Sequence, residues 1–196
     1  MKEGTKYSKA DIKLLNNSKV IVDKNKVLKQ VEEQFTLLGN TSFSKYKFLS
    51  KHDLPPKVSK GENLEGYPFR VLDYPRIFSK NNVFAFRTLF WWGNLISFTL
   101  HLKGKYLINN FDQLKKLLSG YELPLYISIT GDEWSHNPAN KNYSLINSES
   151  LNQNQCKKID FLKIVQVIPL NKINQLNELY QAFLNRLIVP LCDDNI

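Results

Sequence analysis

The chain has 196 residues, of which 42% are hydrophobic and 12% aromatic, and this composition excludes a largely disordered protein. A chain of this length can bury a core without disulfides, so we predict one globular domain over residues 1–196. The two cysteines provide neither a disulfide framework nor a zinc-binding spacing, which favours a cytoplasmic protein. A membrane span needs about 20 consecutive apolar residues, and no apolar stretch of the sequence is that long. We therefore expect no membrane partner.

Basic residues outnumber acidic ones by 27 to 18, which gives a formal net charge of +9. The first 80 residues hold 16 of the basic and 9 of the acidic side chains. A basic N-terminal part is typical of proteins with an acidic partner such as nucleic acid. Only four of the basic residues are Arg, whose guanidinium pairs bidentately with phosphate, and this weakens the nucleic-acid interpretation.

The N-terminal part, residues 1–66, is predicted to be helical and then irregular, ahead of a sheet-containing core over residues 67–196. Apolar residues first follow a helical period, and Pro, Gly and Lys become frequent further along. The predicted elements are a short helix over residues 8–17, a longer helix from Lys24 to Leu38 with Asp23 as its cap and Gly39 at its end, and a loop over residues 40–66.

Residues 83–103 form the most apolar stretch of the chain and are predicted to be a hairpin of two strands. Aromatic and β-branched side chains dominate this stretch, and such side chains suit a pleated sheet. Gly93-Asn94 is predicted to be a two-residue loop, which puts Trp92 beside Leu95. Because side chains alternate across a strand, this pairing assigns the hairpin to two faces. The first face, predicted to be core, contains Ala85, Arg87, Leu89, Trp91, Ile96, Phe98, Leu100 and Leu102, and the second contains Phe84, Phe86, Thr88, Phe90, Trp92, Leu95, Ser97, Thr99 and His101.

The segments around the hairpin complete the prediction of an α+β fold. We expect a mixed or antiparallel sheet of about five strands, with the aromatic-rich hairpin at its centre and N-terminal, middle and C-terminal helices packed on it. The remaining predicted elements are a strand from Tyr67 to Tyr74 ended by Pro75, a helix from Asn110 closed by Gly120, strands over residues 125–130 and 161–168, a loop over residues 136–158 with a short element at 143–146, and a helix capped by Asn171 and followed by Pro190.

Arg87 is the anomaly of the predicted core face, because an isolated buried charge is very costly. It is interpreted either as an anchor for an anionic ligand or as half of an internal ion pair, and the ion pair is favoured. The aromatic density of the hairpin is interpreted as core packing by default, and as a pocket wall in the functional alternative. The candidate ion-pair partners are Asp73, Asp132 and Glu133, and the candidate ligand-binding residues are Arg87, Trp92, His101 and Trp134.

Residues 131–136, Gly-Asp-Glu-Trp-Ser-His, combine two carboxylates with an imidazole directly after a predicted strand. Metal sites and acid–base sites are built from such groups. His101 of the hairpin is a further candidate for the same site. No H-E-x-x-H or paired-Asp signature occurs, and Asp, Gly and Ser favour turns, so the turn interpretation is preferred. The weak catalytic candidates are Asp132, Glu133, His136 and His101, and no metal ligands are assigned.

The segment over residues 43–60 interleaves aromatic side chains with lysines. Aromatic rings stack on bases and lysines neutralise phosphates, so this pattern indicates a nucleic-acid interface. An amphipathic segment that docks its rings on the domain and keeps its lysines in water is the favoured alternative. The nucleic-acid candidates are Lys45, Tyr46, Lys47, Phe48 and Lys51, with Lys57 and Lys60 further along.

No nucleophile elbow, dinucleotide-binding motif or P-loop occurs, so the sequence gives no support to nucleophilic catalysis or nucleotide binding, and no cofactor is expected. The leading hypothesis is a non-catalytic domain that binds a small molecule or a protein through the aromatic side of the hairpin. The alternatives are a nucleic-acid accessory protein that uses residues 43–60 and a metal-dependent hydrolase that uses residues 131–136. A homodimer through the aromatic face is a further hypothesis, since a large exposed apolar patch usually meets a partner.

Overall fold

The computed structural model describes residues 6–46, 54–121, 124–129, 131–138, 141–146 and 159–192. Within them, seven strands form one sheet in which every neighbouring pair is antiparallel. The strands are β1 (Lys57–Leu64), β2 (Tyr67–Phe78), β3 (Val83–Trp91), β4 (Leu95–Lys103), β5 (Leu125–Ser128), β6 (Ser144–Leu145) and β7 (Phe161–Ile168). Their order across the sheet is β1-β2-β3-β4-β7-β5-β6, so the predicted hairpin β3–β4 lies at its centre.

Helices from three parts of the chain pack on one side of this sheet, which confirms the predicted α+β class. We call the covered side the helix face and the opposite side the outer face. The helices are α1 (Lys9–Leu15), α2 (Ser18–Lys45), α3 (Lys105–Ser119), α4 (Leu176–Phe183) and α5 (Val189–Cys192), with a 3₁₀ turn at Leu170–Gln175 and a π-helical turn at Leu184–Ile188.

Strand β1 was expected to be loop, and it raises the strand number above the five predicted. Its sequence, KVSKGENL, lacks the apolar alternation of a half-buried strand because β1 lies at the edge of the sheet and is mostly exposed. Lysine is common on edge strands, where it discourages pairing with another chain. The division of the chain at residue 66 therefore falls in the turn between two paired strands, β1 and β2.

Strand β2 continues past Pro75, which was expected to end it. The register shifts between Asp73 and Arg76, so the strand carries a bulge at this point. Proline is tolerated at bulges because no ladder hydrogen bond is required of its nitrogen there. The bulge leaves Asp73 opposite Arg87 and Arg76 opposite Ala85, so that both of these charged side chains lie on the outer face. Arg70, the third charged residue of β2, pairs with Glu32 of α2 on the helix face.

The hairpin forms as predicted, but its register differs by one residue. Trp91 is opposite Leu95, and Trp92 lies in the turn with Gly93, whose φ is +71°. A slip of one residue moves every side chain of a strand to the other face, so the predicted cross-strand partners were wrong. The helix face carries Phe84, Phe86, Thr88, Phe90, Ile96, Phe98, Leu100 and Leu102, and the outer face carries Ala85, Arg87, Leu89, Trp91, Leu95, Ser97, Thr99 and His101.

The aromatic side chains of the helix face are buried by the chain's own helices. Phe86 stacks on Phe183 with ring centroids 5.2 Å apart and on Tyr180 with centroids 5.1 Å apart. Phe98 contacts both of these rings from the neighbouring strand. This face therefore forms the main core and is not exposed to a second copy, contrary to the expectation of a dimer through it.

Helix α3 begins earlier than its predicted first residue, and the last helix does not end at the predicted proline. Helix α3 begins at Lys105 after Gly104, whose φ is +59°, and the expected first residue Asn110 is buried inside the helix. Its side-chain amide donates to the carbonyl of Tyr106 at 2.8 Å, which explains why a residue that usually caps helices is tolerated there. At the C-terminus, Pro190 was expected to follow the end of the last helix, but it lies within α5, which continues directly from the π-helical turn.

Helix α2 spans 28 residues and begins at Ser18, well before the predicted cap at Asp23. Its buried residues all lie from Leu28 onward, and α1 contains none. The apolar side chains ahead of Leu28 therefore add little to the core. The exposed ones are Tyr7, Ile12, Leu14, Leu15, Val20, Ile21, Val22 and Val27.

Gly39 lies inside α2 rather than at its end. A glycine suits this position because the helix passes close to the chain that leads into β1. A Cβ atom added at Gly39 would lie 2.7 Å from Cβ of Pro56. We expect Gly39→Ala to lower the free energy of unfolding by about 1 kcal/mol, since overpacking outweighs the higher helix propensity of Ala. Urea denaturation measures this, with the exposed neighbour Asn40→Ala as control. Stabilisation by Gly39→Ala would show that the contact with Pro56 is not constraining.

Candidate functional site

The outer face is crossed by residues 131–138, which we call the strap. The strap follows β5 and carries the carboxylates, the imidazole and the tryptophan that the sequence singled out. The ring of Trp134 lies 5.6 Å from that of His101 and 6.3 Å from that of Phe78. The strap therefore meets two strands of the sheet, and a polar cluster lies between them.

Arg87 forms an ion pair with Asp73 on the neighbouring strand, as the favoured interpretation predicted. Its Nε and Nη2 donate to the two carboxylate oxygens at 2.7 and 2.9 Å, and Nη1 donates to Nε2 of His136 at 2.8 Å. Since Arg always donates, Nε2 of His136 accepts and its proton lies on Nδ1. Burial and the charges of Arg87 and Lys163 lower the pKa of His136 to about 3, in agreement with this neutral form.

His101 and Glu133 meet from the sheet and the strap. Nε2 of His101 lies 3.0 Å from Oε1 of Glu133, but neither atom has a partner in hydrogen-bonding geometry. The second oxygen of Glu133 accepts from Nζ of Lys103 at 2.7 Å, and this bond raises the pKa of Lys103. The carboxylate of Glu133 is thus held at the end of β4 by a cation.

Lys163 is the residue of this cluster that the sequence analysis missed. Only 1% of its surface is exposed, and Nζ donates to the carbonyls of Glu133 and Ser135 at 2.9 and 2.5 Å and to the hydroxyl of Tyr143 at 3.0 Å. Burial, followed by the charge of Arg87, lowers its pKa to about 8. A lysine inside the apolar strand sequence FLKIVQVI was the available signal, because a buried charge must be paired. Lys163 fastens the strap to the sheet.

Two cavities lie beside the strap. An open groove of about 270 Å³ is lined by Lys57, Asp73, Arg76, Phe78, Arg87 and Trp134. An enclosed space of about 10 Å³ lies deeper and shares Phe78, Arg87 and Trp134 with the groove. Such a space holds at most about one water molecule, so the groove is the part of the site that is open to a ligand.

Two other predicted site residues, Trp92 and Asp132, make no hydrogen bond to the polar side chains of this cluster. Trp92 lies in the turn at the far end of the hairpin and packs edge-on against Phe90, with ring centroids 6.3 Å apart. Asp132 is exposed, and its Oδ1 accepts from the backbone N–H of Trp134 at 2.9 Å. This contact is a local turn, in line with the preferred interpretation of the segment.

The predicted nucleic-acid residues do not form one described surface. Tyr46 is buried and its hydroxyl donates to the side chain of Asn185, so its ring is not open to a base. Lys57 lies on the outer face, whereas Lys60 points to the helix face and lies 3.9 Å from Glu32. Lys45 is exposed at the end of α2, and Lys47, Phe48 and Lys51 lie outside the described residues.

The described residues contain neither a grouping of metal ligands nor a helix that could span a membrane. Among them, no three His, Cys, Asp or Glu side chains are grouped so that they could hold a metal ion. The donors proposed for a hydrolase are instead engaged with Arg87, Lys103 and the strap backbone. No helix of the described part is both long and apolar enough to cross a membrane.

Acid is expected to weaken the fold through His101. Burial first, and then the charges of Lys163, Arg87 and Lys103, lower its pKa from 6.5 to about 3, while Glu133 faces it across 3.0 Å. A depressed histidine pKa stabilises the fold above pH 6.5, and this stability is lost as the pH falls towards 3. We expect a loss of about 2 kcal/mol between pH 7 and pH 5 from His101 alone.

Urea denaturation of the wild type and of His101→Gln at both pH values checks this expectation. The variant lacks the titrating group, so its free energy of unfolding should fall by about 2 kcal/mol less than that of the wild type between pH 7 and pH 5. An equal pH dependence in the two proteins would show that His101 titrates alike in the folded and unfolded chains.

Comparisons with protein-family models, with curated proteins and with solved structures find no match to this chain. The functional argument therefore depends on the strap, the cluster beneath it and the groove beside it.

Proposed function

We propose that this protein is a non-catalytic domain that binds a small molecule in the groove beside the strap. The observation that carries the proposal is a pair of exposed aromatic rings on the wall of this groove: Phe78 is 40% and Trp134 53% exposed. Ligand sites combine aromatic walls with a few placed polar groups, and Arg76, Arg87 and Lys57 provide such groups here.

The state of the titratable groups supports binding rather than catalysis. His136 accepts from Arg87, Glu133 is held by Lys103, and Lys163 uses three acceptors on the strap and beside it. A general acid or base needs a free proton or lone pair within reach of a substrate. The bonded groups instead face the enclosed space or the strap, so they support the shape of the groove. The two atoms without a hydrogen bond, Nε2 of His101 and Oε1 of Glu133, are buried, and neither residue lines the groove.

The cytoplasm is part of the proposal. It is supported by the cysteine content, because two cysteines in 196 residues provide no disulfide framework, as suits a reducing compartment. Cys192 is buried, and its Sγ donates to the carbonyl of Ile188 at 3.1 Å. The second cysteine, Cys156, lies outside the described residues.

Native mass spectrometry of the freshly purified full chain tests the proposal. We expect an added mass of a small molecule on the wild type that is lost in Trp134→Ala and kept in Tyr7→Ala, which removes a still more exposed ring ahead of α1. In parallel, a fragment library is screened against the indole N–H signal of Trp134 in ¹H–¹⁵N spectra. The proposal is overturned by an adduct that survives Trp134→Ala, or by an unliganded mass together with a screen that shifts no Trp134 signal.

A further inference from the structure

We propose that the ligand is a single-ring aromatic acid, a carboxylate or a phosphate, whose anionic group contacts Arg76, Arg87 and Lys57 and whose ring packs on Phe78 and Trp134. The inference depends on the proposed function, because it names the ligand class of the same groove. Charge, free donors, exposed rings and size each contribute to it.

The charge of the groove favours an anion. Four charged side chains line it, three basic ones and Asp73, which gives a local net charge of +2. Asp73 is already used by Arg87 through both of its carboxylate oxygens, so it offers little to a cationic ligand. Asp132 and Glu133, the carboxylates of the strap, do not line the groove, and Glu133 is held by Lys103.

Unused donors are available on both arginines. A guanidinium has five N–H donors. Nε of Arg76 donates to the carbonyl of Pro55 at 2.6 Å, and this bond orients the side chain. Its two terminal nitrogens make no hydrogen bond to the described residues. Arg87 makes three hydrogen bonds, to Asp73 and His136, and keeps two N–H groups. Paired N–H groups of this kind match the oxygens of a carboxylate or phosphate.

The bulge in β2 brings the anion-binding and ring-binding parts together. Arg76 follows Asp73 by three residues, so strict alternation without the bulge would place the two side chains on opposite faces and send Arg76 to the helix face. With it, Arg76 and Phe78 both lie on the outer face and line the groove. The rings of Phe78 and Trp134 are 6.3 Å apart and tilted by 46°, and they leave their outward sides open to a planar group.

The size of the groove limits the ligand to about one ring. Its volume of about 270 Å³ lies just under the range of roughly 300–1,000 Å³ that is usual for ligand pockets. The enclosed space behind it, about 10 Å³, does not admit a ring. The ligand therefore stays near the strap, with the anion towards β2 and β3.

The test titrates the full-length protein with defined probes and follows the indole signal of Trp134. Phenyl phosphate and benzoate are the aromatic anions, cyclohexanecarboxylate is the non-aromatic anion, benzyl alcohol is the neutral aromatic compound, and inorganic phosphate is the anion without a ring. We expect at least one aromatic anion to bind about tenfold or more tightly than the other three probes. The better of the two aromatic anions then identifies the acid group.

Matched variants locate the anion. Arg76→Gln is expected to weaken binding of the better probe about tenfold, while Lys115→Gln, on α3 behind the helix face, leaves it within about twofold. The ligand class is overturned if benzyl alcohol or cyclohexanecarboxylate binds as tightly as the better aromatic anion, or if Arg76→Gln leaves the affinity for that anion unchanged. Either result leaves the proposed function standing. If no probe binds but the purified protein carries another small molecule that needs Trp134, the ligand class alone is wrong. If neither occurs, both proposals fail.

Discussion

Replacement of Asp73 by alanine is expected to lower the free energy of unfolding by about 3–5 kcal/mol. Asp73 is buried, and both of its carboxylate oxygens accept from Arg87. Its removal leaves a guanidinium with 20% side-chain exposure and no counter-charge on the neighbouring strand. The cost comes mainly from this uncompensated charge rather than from the lost contact itself. Equilibrium denaturation in urea measures the change.

A double-mutant cycle separates the two contributions. Replacing Arg87 by methionine in the Asp73→Ala background removes the stranded charge, so the double variant should be at least about 1 kcal/mol more stable than Asp73→Ala alone. Exposed Asp132→Ala serves as the control carboxylate, and we expect it to change stability by about 1 kcal/mol or less. Additive effects of the two substitutions would mean that Asp73 and Arg87 are not energetically coupled.

Replacement of Lys163 by alanine is expected to cost about 3–4 kcal/mol and to release the strap. The side chain is almost fully buried, so its loss leaves a cavity under the strap. Three acceptors, on Glu133, Ser135 and Tyr143, lose their donor at the same time. We expect Trp134 to become more accessible to a fluorescence quencher, because the strap carries it and Lys163 holds the strap.

Two further variants distinguish the packing of Lys163 from its hydrogen bonds. Lys163→Met keeps the side-chain volume and removes the ammonium group, so it should release the strap with a smaller loss of stability than Lys163→Ala. Lys172→Ala, at an exposed lysine in the 3₁₀ turn, should change neither property. Unchanged quenching of Trp134 in Lys163→Met would contradict the role of the ammonium group in holding the strap.

The element types with strong local patterns could be predicted from the sequence. The strand over residues 161–168 matches β7, and the hairpin matches β3 and β4. Apolar runs rich in β-branched and aromatic residues have few alternatives in water, because most of their side chains must be buried. The edge strand β1 was missed because an exposed strand needs no such pattern, and its pairing with β2 stabilises it instead.

The candidate site could be predicted in part. The cost of burying Arg87 alone was sufficient to suggest its pairing with Asp73, and the strap was singled out by its mixture of carboxylates and imidazole. The lysine within the apolar sequence of β7 indicated a buried charge, but its partners could not be predicted, because they are two backbone carbonyls and a tyrosine hydroxyl 20 to 30 residues away in the sequence. Backbone carbonyls are present at every residue, so no sequence pattern identifies which of them a lysine will contact.

The amino-acid sequence by itself determined that this protein has an α+β fold with an aromatic hairpin at the centre of its sheet, and that Arg87 needed a partner. Hydrophobic burial and the cost of an unpaired charge depend on residue type and therefore show in the sequence. Only the tertiary structure decided which face of the hairpin became core, because a one-residue change of register exchanges the two faces. It also decided that Arg76 joins Phe78 and Trp134 in one groove, because this depends on a bulge in β2 and on where the strap crosses the sheet.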